Sequence, residues 1–363
     1  MSKKILLTSG GTGGHVFPAI NLTKHLLQKG YKIVFVTSDE TLKNYFDKKI
    51  FHNYSELKIY SIKTDTINKK DILKSILAII KIFVSLFKSL LILKKEKPNI
   101  IIGFGGYISF PISFCSKFFN ISLLLYESNL VLGRTNKYLL PIAKKLFVSS
   151  SFPINLPKKY KKKTYKVGSI LSKNIINYHP KKRIKKKYFL ITVFGGSQGA
   201  EIFGKKVPAA IKMLKENGYN IRINQQCLKH QKSQIISFYK KNKIKNKIFT
   251  FEKNILKLIS KTDLAISRSG ANTTAELVET CTPFISIPYP YAMDNHQYLN
   301  AKYYRNKNYN WILKESDFNS SNLYKLLVKI IDNKKNLNQM REKMKNNKNN
   351  SVYKNIEKLI EKN

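Results

Sequence analysis

The stretch TSGGTGGHVFPAINL, residues 8–22, decides the fold. It joins a strand-like apolar run over residues 4–8 to a helical pattern over 18–29, and glycines crowd the turn between them. A second strand-like run follows at 32–37, which makes the whole an opening unit of a parallel sheet covered by helices. Gly10, Gly11, Gly13 and Gly14 admit backbone angles closed to other residues and leave the main chain bare. The helix behind them points unpaired N–H groups and its positive dipole end at that turn. A turn built this way suits an anion the size of a pyrophosphate.

The same grammar recurs along the chain. Strand-like runs at 99–103 and 122–126 end in polar or glycine-rich turns, the first containing Gly105, Gly106 and Tyr107. After a Pro- and Lys-rich stretch at 152–187, which reads as a basic linker, a strand at 188–194 meets the turn GGSQG at 195–199 and a helix over 203–216. Further strands are expected at 220–224, 247–251 and 264–267. The expectation is an α/β protein of two similar halves. Ligands of such sheets lie at the C-terminal ends of the strands, where the glycine turns fall. Two familiar glycine motifs fail: GxGxxG is broken by Val16, and GAEIFGKK at 199–206 lacks the Ser or Thr that a Walker A loop uses for magnesium.

At 363 residues the chain has room for two domains. Its net charge of +46 favours anionic partners, yet only six of its 67 basic residues are Arg. Lys, Asn and Ile recur throughout, the mark of A/T-rich codons, so the placement of charge is more informative than its total. A nucleic-acid binder would carry basic-aromatic clusters in place of glycine turns, and no nucleic-acid partner is expected. Cys115, Cys227 and Cys281 form no CxxC pair, which points to a reducing compartment without structural zinc. The opening apolar run is too short to read as a signal peptide.

Residues 71–98, DILKSILAIIKIFVSLFKSLLILKKEKP, approach the length of a membrane span, but Lys74, Lys81 and Lys88 interrupt them. Seven-residue spacing puts these lysines, with Lys95, on one stripe of a helix. Two readings remain open: a core helix exposing its lysine edge, or a surface helix dipping into an anionic bilayer.

Polar clusters complete the inventory. SRSGANTTAE at 267–276 sets Arg268 at a strand end and Glu276 in the following helix, where a carboxylate can accept two hydrogen bonds from a ribose diol. PYPYAMDNHQYLNA at 288–301 gathers His296, Gln297 and Asn300, side chains suited to sugar hydroxyls. Neither Asp-x-Asp nor a ligand spacing among the six histidines is present, so no metal is expected. His15, ending the first glycine turn, is placed to act as a base on a hydroxyl or as a structural residue.

GGTGGHVFPA, GFGGYISFP, YESNLVLGRTNK, VFGGSQGA, SRSGANTTAEL and PYPYAMDNHQYLNA, in order from residue 10 to 301, resemble the motifs of the MurG family. That resemblance implies a GT-B fold, two Rossmann-like domains whose parallel sheets face a deep interdomain cleft. It implies an inverting, cofactor-free and metal-free transfer of N-acetylglucosamine from UDP-GlcNAc to undecaprenyl-pyrophosphoryl-MurNAc-pentapeptide. The N-terminal domain would span 1–160, with a C-terminal helix over about 342–363 packing back on it, and the donor domain 165–341.

The family's site residues carry over as follows. Gly10, Gly11, Gly13, Gly14, Gly105, Gly106 and Tyr107 would receive the acceptor pyrophosphate, and His15, Glu127 and Asn129 would be catalytic. The donor would meet Thr12, Gly13, Gly14, Asn129, Ser172, Arg268 and Ala271. Ser197 and Gln198 would hold its diphosphate, Glu276 its ribose, His296 and Gln297 its sugar, and the backbone around Glu252 and Ile255 its uracil. Family members bind the cytoplasmic face of the inner membrane peripherally, and the helix over about 72–93 is where an anionic membrane surface would be met.

Two departures stand out. The family's His-Glu-Gln-Asn reads Tyr126-Glu127-Ser128-Asn129 here, and its Gly-Asn-Pro-Val-Arg reads GSILS at 168–172, so Ser172 replaces an Arg. Lys173 offers a charge but not the bidentate fork of Arg. The alternative within the same fold is a glycosyltransferase using a UDP-sugar on another glycolipid acceptor.

Overall fold

The computed structural model describes all residues except 1–2, 47–50, 52–53, 64–71, 181–185, 197–199, 253, 349–350 and 363, and gives only the backbone of 72–78. Seven strands form the first sheet: β1 (Lys4–Thr8), β2 (Lys32–Thr37), β3 (Leu57–Ser61), β4 (Ile100–Gly103), β5 (Ser122–Glu127), β6 (Lys145–Val148) and β7 (Thr164–Lys166). They are all parallel, in the order β3-β2-β1-β4-β5-β6-β7. The second sheet holds β8 (Phe189–Phe194), β9 (Ile221–Gln226), β10 (Lys245–Phe249), β11 (Leu264–Ser267), β12 (Phe284–Ser286) and β13 (Asn310–Ile312), parallel in the order β10-β9-β8-β11-β12-β13. Both follow the doubly wound, Rossmann-like order.

Sequence explains which strands are central. IIIG of β4 and KLFV of β6 are buried along their whole length, the continuous apolar runs of a sheet covered on both faces. KNKIF of β10 exposes Lys245, Asn246 and Lys247, and lysines of this kind protect a sheet edge from further pairing.

The chain divides into two compact units, Met1–Leu171 with Ser351–Asn363, and Ser172–Asn350. The first unit thus reaches past residue 160, because β7 pairs with β6 inside the stretch that reads as a linker. The helix Lys334–Asn346 stays with the second unit, and only the last helix, Val352–Glu361, returns to the first. There Tyr353 packs its ring, tilted by 30°, against His25 at 4.3 Å between centroids, and Glu357 pairs with His25 and Lys29. Lys145 Nζ donates to the Leu359 carbonyl at 2.9 Å and Lys3 Nζ to the Glu361 carbonyl at 3.1 Å, cations on the negative end of the helix dipole.

The first helix runs over Gly13–Gln28, five residues earlier than the sequence pattern suggests. Pro18 reads as a first-turn residue but sits inside the helix, while Gly13 and Gly14 take helical angles and place His15 in the first turn.

Over its described side chains the long helix Ile72–Glu96 has one buried and one exposed side. Its inward side carries Ser85, Ser89, Leu93 and Glu96, all buried. Its outward side presents Ile79, Ile80, Phe83, Val84, Phe87 and Leu91, with Phe83 67% and Phe87 63% exposed. The exposed side is therefore chiefly apolar, with Lys81 and Lys88 beside it, and the reading of a core helix showing a lysine edge is set aside. Glu96 fastens its end, receiving Tyr60 Oη at 2.6 Å, Lys4 Nζ at 3.2 Å and Lys58 Nζ at 3.2 Å. Among the described residues no helix is long and apolar enough to cross a membrane.

Candidate active site

In each sheet the connections reverse direction between two neighbouring strands, β1 and β4 in the first and β8 and β11 in the second, and ligands bind beyond the carboxyl ends of such strands. At the first of these points the two glycine turns meet backbone to backbone. Gly106 has φ 80°, and a Cβ there would overlap the Gly10 carbonyl. Gly105, at φ 84°, lies against His15: a Cβ would stand 3.3 Å from its Cδ2, 3.4 Å from its Nε2 and 3.5 Å from Asn136 Nδ2. Glycine is required at both positions, so an imidazole, a buried amide and bare main chain converge within a few ångströms. Tyr107 follows, partly exposed, and Thr12 stands in extended conformation at the helix cap without bonding the helix through its hydroxyl.

Glu127 ends β5 and is buried. Its Oε1 accepts from Asn129 N at 3.0 Å and Asn129 Nδ2 at 3.2 Å, and its Oε2 from Gly133 N at 2.9 Å and Asn136 Nδ2 at 2.9 Å. Four donors on one carboxylate make it the organiser of loop 128–133, which holds Asn129 and aims Asn136 at the glycine turn. Asn136 also donates to the Tyr126 carbonyl at 3.0 Å. The hydroxyl of Tyr126, the aromatic gained here, donates to the Gly168 carbonyl at 3.3 Å and accepts from Ile170 N at 3.1 Å. Asn136 falls within the motif YESNLVLGRTNK but has no assigned role among the residues expected from sequence; its place in that motif is its signal.

In the second unit the turn after β8 is braced by Gln226, which accepts from Gly195 N at 2.9 Å and donates to the carbonyls of Gly196 at 3.1 Å and Thr250 at 3.0 Å. Ser197 and Gln198 lie outside the described residues. Gln297 Oε1 accepts from Ser269 N at 3.3 Å and Tyr289 N at 3.0 Å, joining two loops beside Ala271 at the start of the helix Ala271–Glu279. His296 bonds the Met293 carbonyl at 2.8 Å through Nδ1, so the ring orientation is set by its own loop. Asp294 and Asn295, both left-handed at φ 51° and 53°, make the sharp entry to the helix His296–Asn306, which His296 begins.

Arg268 is engaged by the protein itself. Its guanidinium pairs with Glu315, donates to the Ile287 carbonyl at 3.2 Å and lies 5.3 Å from the rings of Phe203 and Tyr289. Its direct work is to shape loop 287–289. Glu252 likewise accepts from Asn254 N at 3.1 Å and pairs with Lys247 at 2.9 Å; that Lys247 bond lowers its carboxyl pKa. It orders the approach to Ile255, the first residue of the helix Ile255–Ile259. Ser172 opens the second unit and caps the short helix Lys173–Ile176 without a side-chain bond.

Glu276 is a different case. It lies in the second turn of the helix Ala271–Glu279, and burial pushes its carboxyl up to about 7 from an ordinary 4.5. Between those values the folded protein keeps a proton that the unfolded chain has lost, so stability is expected to fall as pH rises from 4.5 to 7 and to level off above. On the expectation that Glu276 holds a ribose diol, which needs the ionised form, UDP affinity should move the opposite way, weakening by up to about tenfold per pH unit below 7. Isothermal titration with UDP at pH 5.5, 7 and 8.5 checks this, and Glu276→Gln should flatten both dependences. Among the described residues no group of three or more His, Cys, Asp or Glu side chains is placed to hold a metal ion.

Two doubly wound sheets with glycine turns at their switch points form a nucleotide-binding scaffold, and the family matches give its class as glycosyltransferase. The glycosyltransferase family 28 N-terminal domain matches residues 5–148 and the family 28 C-terminal domain residues 190–358. A protein of Pelagibacter ubique is 36% identical over 98% of this chain and 97% of its own, and one of Rickettsia felis 34% identical over 92% of each. Both bear the name UDP-N-acetylglucosamine–N-acetylmuramyl-(pentapeptide) pyrophosphoryl-undecaprenol N-acetylglucosamine transferase. The crystal structure of MurG from Acinetobacter baumannii superposes with a TM-score of 0.79, at 25% identity, over 99% of this chain and 100% of that one. The chain belongs to the MurG family of GT-B glycosyltransferases.

Proposed function

We propose that this protein transfers N-acetylglucosamine from UDP-GlcNAc to the 4-hydroxyl of MurNAc in undecaprenyl-pyrophosphoryl-MurNAc-pentapeptide, with inversion and without a metal. The observation that carries this reading is the backbone contact between the Gly10 and Gly106 turns with His15 and Asn136 beside them, in a chain of this family. The bare turns receive the acceptor pyrophosphate. His15 takes the hydroxyl proton as the O4–C1 bond forms, and the C1–O bond to the nucleotide breaks with its electron pair leaving on UDP. The N-terminus of the helix Ala271–Glu279 stabilises that leaving group. Glu276 holds the ribose, Gln297 and His296 the sugar, and the backbone about Glu252 and Ile255 the uracil.

The outward apolar side of the helix Ile72–Glu96, with exposed Phe114 and Phe118 on the neighbouring segments, fits a peripheral seat on an anionic membrane. On this reading the enzyme works at the cytoplasmic face of the inner membrane. The test of inversion and metal independence is the anomeric configuration of the product by NMR after turnover in EDTA. A β-linked product at an undiminished rate is expected, and an α-linked product or abolished turnover would overturn those two points.

A further inference from the structure

Residues 168–171 lead the chain out of the first unit and belong to no helix or strand, yet Gly168, Ile170 and Leu171 are buried. Irregular backbone away from water must find partners for its N–H and C=O groups outside the regular ladders. Here they can be followed atom by atom. Gly168, at φ 105°, donates its N–H to the Val148 carbonyl at 3.4 Å, and Leu171 N donates to the Ser169 carbonyl at 3.0 Å. Side chains supply the rest. Tyr126 Oη donates to the Gly168 carbonyl at 3.3 Å and accepts from Ile170 N at 3.1 Å. Asn21 Nδ2 reaches the Ile170 carbonyl at 3.5 Å, and Tyr353 Oη donates to the Leu171 carbonyl at 2.6 Å.

Tyr126 contributes most, because its one hydroxyl serves an acceptor and a donor two residues apart and so closes the turn across Ser169. Its own place is fixed. It is buried near the end of β5, its ring centroid lies 5.5 Å from that of Phe104, and its carbonyl receives Asn136 Nδ2 at 3.0 Å. Both ends of the contact are departures from the family pattern: Tyr126 stands where that pattern has His, and Ile170 where Gly-Asn-Pro-Val-Arg has Pro. Proline sets its own φ, restrains the residue before it and has no N–H. With Ile at 170 the turn loses that stiffness and gains a buried N–H in need of an acceptor. The hydroxyl of Tyr126 supplies it.

We propose that Tyr126 is a positioning residue for the donor: its hydroxyl replaces the proline in fixing residues 168–171, and thereby the point from which the chain continues to Ser172 and Lys173 at the start of the second unit. This rests on the reading that Ser172 and Lys173 border UDP-GlcNAc. Tyr126 acts through the turn and not on a substrate atom.

The test is isothermal titration of the full chain with UDP-GlcNAc for the parent, Y126F, I170P and Y126F/I170P, with the KM for the lipid acceptor and thermal melting measured beside it. Y126F keeps the ring and the carbonyl that holds Asn136, and removes only the hydroxyl. It should weaken UDP-GlcNAc binding about three- to tenfold, the usual effect of one lost hydrogen bond, and leave the acceptor KM within about twofold. In Y126F/I170P the orphaned N–H is gone and proline again restrains the turn, so binding should return to within about twofold of the parent's. A lower melting temperature in Y126F with the parent's Kd for UDP-GlcNAc would show a purely structural role and overturn the proposal. So would an effect confined to the acceptor KM, or a double variant that adds the two single losses. Should the proline variants melt below the assay temperature, the Kd of Y126F decides alone. A parent that binds no UDP-GlcNAc overturns the donor reading and this proposal with it, whereas a parent and a Y126F that bind equally overturn the proposal only.

Discussion

Replacing His15 by Ala is expected to lower kcat for transfer by about 10²–10⁴-fold, the usual contribution of a positioned general base, with little change in the Kd for UDP-GlcNAc. The reason is local. His15 lies in the first turn of the helix Gly13–Gln28 with its imidazole against Gly105, beside the turns proposed to receive the acceptor. On the proposed role, truncation removes the proton acceptor and leaves the turns themselves in place. Steady-state kinetics on both substrates, with thermal melting as the control for folding, distinguish the roles. His15→Gln keeps a hydrogen-bonding side chain but no useful basicity. A residue that merely orients the acceptor would be largely rescued by Gln, and a base would not.

Gly106→Ala should be nearly as damaging, through geometry alone. The substitution forces a non-glycine residue to φ 80°, at a cost of roughly 1–2 kcal/mol. It also drives a methyl group into the Gly10 carbonyl, and both partners are main chain, so neither can swing aside. The two turns must part. A displacement of about 1 Å in such a site costs on the order of 10²-fold in rate. Gly30→Ala supplies the comparison: Gly30 has φ 81°, but no atom lies within 4 Å of its Cβ position and it lies outside both turns, so it bears the backbone strain without the collision. Activity lost in Gly106→Ala and largely kept in Gly30→Ala, at similar melting temperatures, isolates the contact between the turns.

Much of this was legible in the sequence, and the exceptions have physical causes. Strands β1, β2 and β11 follow the expected bounds because Gly, Ser or Asp punctuates a β-branched or leucine-rich run at both their ends. The first helix was misplaced because Pro18 mimics a helix start while Gly13 and Gly14 do not look helical. Residues 164–166 hide a strand, since TYK at a sheet edge is too short and too polar for periodicity to show. The parts of the site built from main chain were visible as glycines. What no spacing could reveal was the engagement of charged groups: Arg268 with Glu315, and Glu127 with four donors of its own loop. Such pairings depend on distant strands meeting, as does the outward turn of Phe83 and Phe87, which hydropathy alone reads as core.

The choice of acceptor distinguishes this enzyme from other glycosyltransferases of the same fold, and one assay addresses it directly. Labelled UDP-GlcNAc is offered with undecaprenyl-pyrophosphoryl-MurNAc-pentapeptide in one reaction and with a diacylglycerol acceptor in another, under identical detergent and EDTA conditions. Label is expected in the pyrophosphoryl lipid and none in the diacylglycerol, with transfer collapsing in both His15→Ala and Gly106→Ala. Label appearing on the diacylglycerol, or a parent enzyme that binds UDP-GlcNAc yet leaves the pyrophosphoryl acceptor untouched, would contradict it.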